Sequence, residues 1–211
     1  MNGVAGLFFA FGLVAAVVDW IAVHRERKPL EYLAKPATLA LFVAAAASLD
    51  PVDPTVRSWF VAALVLSLLG DVFLMLPKDL FVFGLASFLL GHIAYIVGMN
   101  IDGLQVDKAG IGLVLVAVAA AAVGVVIMRS VAAGEERELL LPVIVYMVVI
   151  SAMVVCAFGT WQLTAILGAL LFYASDALIA WNKFVREQAN GRLAVMVTYH
   201  LAQAGLLLSL T

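Results

Sequence analysis

The sequence predicts an all-α fold, a polytopic membrane protein with eight transmembrane helices, and three observations carry that reading. Of 211 residues, 65% are hydrophobic and 12% charged, against about a quarter charged in a soluble domain; the mean hydropathy is +1.13. Eight apolar runs come close to the roughly 20 residues that a hydrocarbon core about 30 Å thick requires of a helix. Lysine and arginine collect on alternate connections between those runs, as they do when retained on the cytoplasmic side.

Helix 1 takes roughly residues 3–23; no basic segment precedes it, so no cleavable signal is read there. Helix 2, the shortest run, is placed at 36–49, because Lys35-Pro36 has the form of a helix start with proline at the first helical position. Helix 3 (57–76) holds Asp71. Helix 4 (80–99) holds Gly84, Gly91 and Gly98, whose seven-residue spacing marks a close helix contact. Helices 5 and 6 follow at 109–128 and 139–158; helix 7 (161–182) holds Asp176 and helix 8 (192–210) holds Tyr199, His200 and Gln203. The connections leave no room for a soluble domain, so residues 1–211 are expected to form a single integral membrane domain.

Ten of the twelve lysines and arginines lie on connections 1–2, 3–4, 5–6 and 7–8; only Arg57 and Lys108 lie on the other side. That places both termini outside, and helical spans point to an inner or plasma membrane, since outer-membrane proteins are barrels. The net charge of −2 gives no support for a nucleic-acid partner. The single cysteine, Cys156, cannot form an internal disulfide.

Asp71 and Asp176 are the informative residues. Each lies in a membrane-spanning run and is followed seven positions later by a lysine, Lys78 and Lys183. An ionisable side chain at such depth costs roughly 2.5–3.5 kcal/mol on insertion scales and calls for a function or a partner. At about 1.5 Å per residue, the two carboxylates share a level in the cytoplasmic half. Asp19, Lys35, Asn182 and Lys183 fall at or below it; His92, Tyr95, Tyr199, His200 and Gln203 fall nearer the midplane. Together they outline a polar pocket opening to the cytoplasm. Plainer readings stand beside this one: Lys78 and Lys183 as snorkelling lysines, Lys35 as an orientation signal, Asp19 as a solvated helix end beside Trp20, the aspartates as interhelical hydrogen-bond partners, and His92 and His200 as packing residues. The 105-residue offset between the aspartates, each followed by a helix carrying His and Tyr, hints at two parallel four-helix halves.

The segments Gly70-Asp-Val-Phe-Leu-Met-Leu76, Gly84 through Phe88 to His92 and Tyr95, Leu167 through Tyr173 and Asp176 to Lys183 and Phe184, and Thr198-Tyr-His-Leu-Ala-Gln203, with Lys35-Pro36 and Leu141-Pro-Val-Ile-Val-Tyr146, resemble the lysoplasmalogenase family of eight-helix membrane proteins, which includes bacterial members and the human TMEM86 proteins. The resemblance implies hydrolysis of the vinyl ether bond of a lysoplasmalogen, giving a fatty aldehyde and a glycerophosphoethanolamine or glycerophosphocholine. Enol ether hydrolysis needs an acid to protonate carbon and a carboxylate to stabilise the oxocarbenium ion and deprotonate water. Asp71 and Asp176 suit those roles, which the sequence leaves unassigned between them, although the aspartate nearer a lysine is expected to stay ionised.

On that reading Lys35 and Lys183 attract the phosphate of a lysophospholipid, while Asn182, Tyr95, Tyr173, Tyr199, His92 and Gln203 complete the substrate site and apolar helices line the tail. No cofactor is implied. His92, His200 and an aspartate do not form a metal-ligand spacing, and no serine elbow or His-Glu-x-x-His motif occurs. The competing class is a proton-coupled or lipid transporter using the same Asp, His and Lys residues. It is disfavoured because the apparent repeat is not inverted and the ionisable groups crowd one half of the membrane.

Overall fold

The computed structural model describes residues 1, 3–50, 53–77 and 80–211. Among them are eight long helices and no strand: α1 (Gly3–His24), α2 (Lys28–Ala47), α3 (Pro54–Met75), α4 (Phe81–Asp102), α5 (Val106–Ala133, with a π turn at Ala120–Gly124), α6 (Leu140–Thr160), α7 (Leu163–Phe184) and α8 (Gly191–Leu208). The first seven are long and apolar enough to cross a membrane. The eighth is less apolar because it carries Arg192, Thr198, Tyr199, His200 and Gln203, the last three of them buried against other helices.

Local chemistry explains where the helices start. Asp53 accepts hydrogen bonds from the backbone N–H groups of Thr55 (2.7 Å) and Val56 (3.2 Å), and Pro54 follows it, so α3 begins three residues before the apolar run at 57. The same amides, Val56 and Thr55, hold the Asp53 carboxyl below the usual carboxylate range.

Helix α2 departs furthest from the sequence reading. It opens at Lys28-Pro29, not at Lys35-Pro36, and Pro36 lies inside it. Pro29 takes the first-turn position where no N–H is needed, whereas Pro36 forgoes one interior hydrogen bond in a segment packed on both α1 and α3. Lys35 therefore stands two turns inside a helix, only 5% exposed, and is not an interfacial orientation signal.

Helices α1 to α4 pack in sequence, as do α5 to α8, and the two sets meet through α4 on α6, α8 on α2 and α8 on α1. The first two of these contacts are equivalent: the fourth helix of one set lies on the second helix of the other, as a duplicated four-helix unit requires. Small residues set the closest approaches. A Cβ on Gly91 would lie 3.2 Å from the Ala63 carbonyl oxygen of α3, as the glycine series anticipates. A Cβ on Gly168 of α7 would lie 2.8 Å from Leu206 N and 2.9 Å from Ala202 O of α8. Backbone cannot yield as a side-chain tip can. Gly168→Ala is therefore expected to lower the unfolding free energy by about 1–3 kcal/mol, measured by denaturant unfolding in detergent. Gly110→Ala, in open space on α5, should leave it within about 0.5 kcal/mol.

Candidate active site

Asp71 lies on α3 about one turn from its end and is 1% exposed. Its Oδ1 is 3.0 Å from Lys35 Nζ of α2, and its Oδ2 accepts a hydrogen bond from the Tyr199 hydroxyl of α8 at 2.7 Å. Asp176, on α7, accepts from the Tyr146 hydroxyl of α6 at 2.6 Å, and the same oxygen is 3.7 Å from His92 Nε2 of α4. The helix exchange of the fold thus recurs in the site. Each aspartate sits on the third helix of its set, takes one partner from the second helix of the same set, and takes the other from the fourth helix of the opposite set.

An aromatic cluster fixes these partners. The His92 ring meets Phe172 edge-on at 4.6 Å and Tyr146 at 5.3 Å, and Tyr199 meets Phe172 at 5.5 Å and Phe88 at 5.8 Å. Rotation of any of these rings would displace its neighbour, so the phenols have one direction in which to donate. Tyr146→Phe keeps the packing and removes the bond to Asp176. It is expected to lower kcat about fivefold, the equivalent of roughly 1 kcal/mol for one hydrogen bond, with little change in KM, as steady-state kinetics would measure.

Two cavities meet at Asp176. A polar one of about 370 Å³ is lined by Lys35, Asp71, Asp176 and Tyr199 at depth and by Lys28, Glu31, Asn182, Lys183, Glu187 and Arg192 towards its mouth. That lies within the roughly 300–1,000 Å³ of small-molecule sites. A narrow apolar groove of about 70 Å³ between α4, α5, α6 and α7 is lined by Leu85, Phe88, Val123, Ile127, Ile150 and Tyr173, among others. Asp176, Leu74, Phe88 and Ile179 belong to both walls.

The residues singled out in the sequence divide between these places. Asp71, Asp176, Lys35, Asn182, Lys183 and Tyr199 line the polar cavity; Tyr173 faces the apolar groove. Lys183 is engaged at the rim by Glu136 (2.9 Å) and lies over the ring of Phe81 at 4.6 Å. His92 lines neither cavity and reaches the site through Asp176. Tyr95 and Gln203 bond each other at 2.6 Å, both fully buried, and also line neither. His200 accepts from the indole N–H of Trp20 at 3.1 Å. Lys78 lies outside the described residues.

Three features escaped the sequence reading. Tyr146, at the end of the Leu-Pro-Val-Ile-Val-Tyr segment, is the direct donor to Asp176. One guanidinium nitrogen of Arg192 donates to both carboxyl oxygens of Glu31 (2.8 and 3.0 Å), joining α2 to α8 at the cavity mouth. Asp19 is no solvated helix end: it is 0% exposed, and neither carboxyl oxygen has a hydrogen-bond partner among the described residues.

The chain is similar to known proteins over most of its length. The model of the YhhN family matches residues 30–210. A lysoplasmalogenase of Mycobacterium tuberculosis is 35% identical over 179 residues, 82% of this chain and 67% of the relative. The lysoplasmalogenase TMEM86B of Mus musculus is 33% identical over 147 residues, 70% of this chain and 61% of the relative, and that of Homo sapiens 31% identical over 147 residues, 70% and 61%. No solved structure matches the chain.

Proposed function

This chain belongs to the YhhN family, and from that premise we propose that it hydrolyses the vinyl ether bond of a lysoplasmalogen, releasing a fatty aldehyde and a glycerophosphoethanolamine or glycerophosphocholine. The observation that carries the reading is the position of Asp176, on the wall common to a polar cavity and an apolar groove. A single-chain ether lipid has its reactive bond between a phosphate head and an alkyl tail. With the head among Lys28, Lys183 and Arg192 and the first methylenes of the tail in the groove, that bond lies against Asp176.

The partners of the two carboxyls support a division of labour. Asp71 has an ammonium at 3.0 Å and serves as the ionised carboxylate. Asp176 has a phenol and a histidine in an aromatic setting, with no lysine or arginine in ion-pair contact among the described residues, and serves as the acid. Its proton passes to the vinyl carbon distal to the ether oxygen, leaving an oxocarbenium ion that Asp71 stabilises. Water then attacks the cationic carbon and gives up a proton to Asp71. The resulting hemiacetal collapses to aldehyde and alcohol, and the proton on Asp71 returns to Asp176, so both carboxyls end as they began. Lys35, engaged by Asp71, holds that charge in place and leaves the phosphate to the cations at the mouth. The positive-inside asymmetry supports a cavity opening to the cytoplasm, with both termini outside.

The test is fatty aldehyde release from a purified lysoplasmalogen by the protein in detergent, beside an ester-linked lysophospholipid of the same chain length. Release from the vinyl ether substrate alone is expected. Flux of lipid or protons into sealed vesicles without turnover would replace the hydrolase with the transporter.

A further inference from the structure

The two aspartates hold their partners differently. On Asp71 the donors are split, with Lys35 Nζ at Oδ1 and the Tyr199 hydroxyl at Oδ2. On Asp176 both neighbours face one oxygen: the Tyr146 hydroxyl donates to Oδ2 at 2.6 Å, and His92 Nε2 stands 3.7 Å from the same atom. Asp176 Oδ1 takes no hydrogen bond or ion pair among the described residues, yet it is not one of their sealed, unpartnered atoms. The side chain keeps 11% exposure against 1% for Asp71, so Oδ1 is its open side.

That asymmetry assigns the hydrogens. A carboxylic acid has one O–H and one carbonyl oxygen with two lone pairs. The oxygen that accepts from the phenol is the carbonyl one, so the acidic proton of Asp176 is on Oδ1. A bare imidazole nitrogen would be repelled by the other lone pair of Oδ2, so His92 presents Nε2–H to it. Nδ1 of His92 has no partner among the described residues, and a proton there would be buried unsatisfied. The ring is 1% exposed and is held edge-on against Phe172 at 4.6 Å and Tyr146 at 5.3 Å, which keeps it aimed. At 3.7 Å the Nε2–H is still short of a hydrogen bond.

We propose that His92 is the positioning residue of the acid: its Nε2–H closes on Asp176 Oδ2 as Oδ1 gives up its proton, so the carboxylate forms with two donors on one oxygen and is reprotonated on the other. The proposal deepens the hydrolase reading and rests on it for the reaction. In that step the Oδ1–H bond breaks, its electron pair stays on Asp176, and the vinyl π pair forms the new C–H bond at the distal carbon. The Tyr146 bond exists before and after the step, so only its strengthening speeds the reaction. The His92 bond is made together with the charge and acts on the transition state in full. His92 lines neither cavity and works through Asp176 without touching substrate.

Two substitutions separate a donor from a packing ring. His92→Phe keeps an aromatic side chain beside Phe172 and Tyr146 and removes the donor; His92→Gln gives up the ring and returns an amide N–H close to the place of Nε2. With a lysoplasmalogen, His92→Phe is expected to lower kcat by about tenfold or more, with KM within about twofold, the loss of one hydrogen bond to a charged group. His92→Gln should recover most of that loss, whereas a packing role predicts the reverse order. Without substrate, nitrogen-15 NMR of histidine-labelled protein is expected to show His92 protonated on Nε2 and bare on Nδ1, its signals being those missing from His92→Phe. A proton on Nδ1, an unchanged kcat in His92→Phe, or a His92→Phe protein at least as active as His92→Gln overturns the proposal. If the parent releases no aldehyde, the hydrolase reading fails and the NMR alone decides how His92 faces Asp176. The NMR also decides if His92→Gln does not fold.

Discussion

Asp176→Asn is expected to reduce aldehyde release by about a hundred- to ten-thousandfold, the contribution of a positioned general acid, while the protein remains folded. Asparagine fills the same volume and still accepts the Tyr146 hydroxyl, but it carries no acidic proton for the vinyl carbon. Asp71→Asn should abolish turnover to a similar degree, with a difference that separates the two roles. Asp71 is the contact partner of Lys35 and Asp176 has no lysine in contact among the described residues, so the Asp71 variant is the one that disturbs a lysine–carboxylate pair. Turnover by either variant within tenfold of the parent would remove the two-carboxyl mechanism.

Lys35→Met should be the most destabilising of the single changes considered. Lys35 and Asp71 have side chains 7% and 1% exposed, and breaking such a buried pair from one side costs about 3–5 kcal/mol, because the remaining carboxylate keeps the Tyr199 hydroxyl but no cation. The double variant Lys35→Met/Asp71→Asn removes both charges and is expected to recover at least half of that loss while remaining inactive. Denaturant unfolding in detergent, read as a double-mutant cycle, measures the coupling; simple addition of the two single losses would show that the contact is energetically idle.

The features legible in the sequence were those that violate the apolar pattern. A carboxylate in a run of leucine and valine stands out without any knowledge of neighbours, which is why Asp71, Asp176 and their common depth emerged, and why the parallel halves could be glimpsed from the 105-residue offset. The chain's hidden features depend on rotation about a helix axis. In a soluble helix, polar and apolar faces tell inside from outside; here both faces are apolar, since one meets lipid and the other protein. Depth alone put Asp19 at the interface, yet α1 turns it onto α2 and α8, away from water. Tyr146 stands in the sequence only as the end of the Leu-Pro-Val-Ile-Val-Tyr segment until α6 is seen to present it to α7. The start of α2 was misplaced because Lys28-Pro29 and Lys35-Pro36 are the same dipeptide, seven residues apart, and only packing decides which opens the helix.

The crossed partnership of the aspartates has a corollary in symmetry. Were the two halves identical, each carboxyl would meet the same two neighbours, and a pair of equal acids cannot divide into donor and acceptor. The division becomes possible only where the neighbours differ: a lysine at one second-helix position and a tyrosine at the other, a tyrosine on one fourth helix and a histidine on the other. Each carboxyl thus draws one side chain from the opposite four-helix set, so neither set by itself holds both partners of its own aspartate.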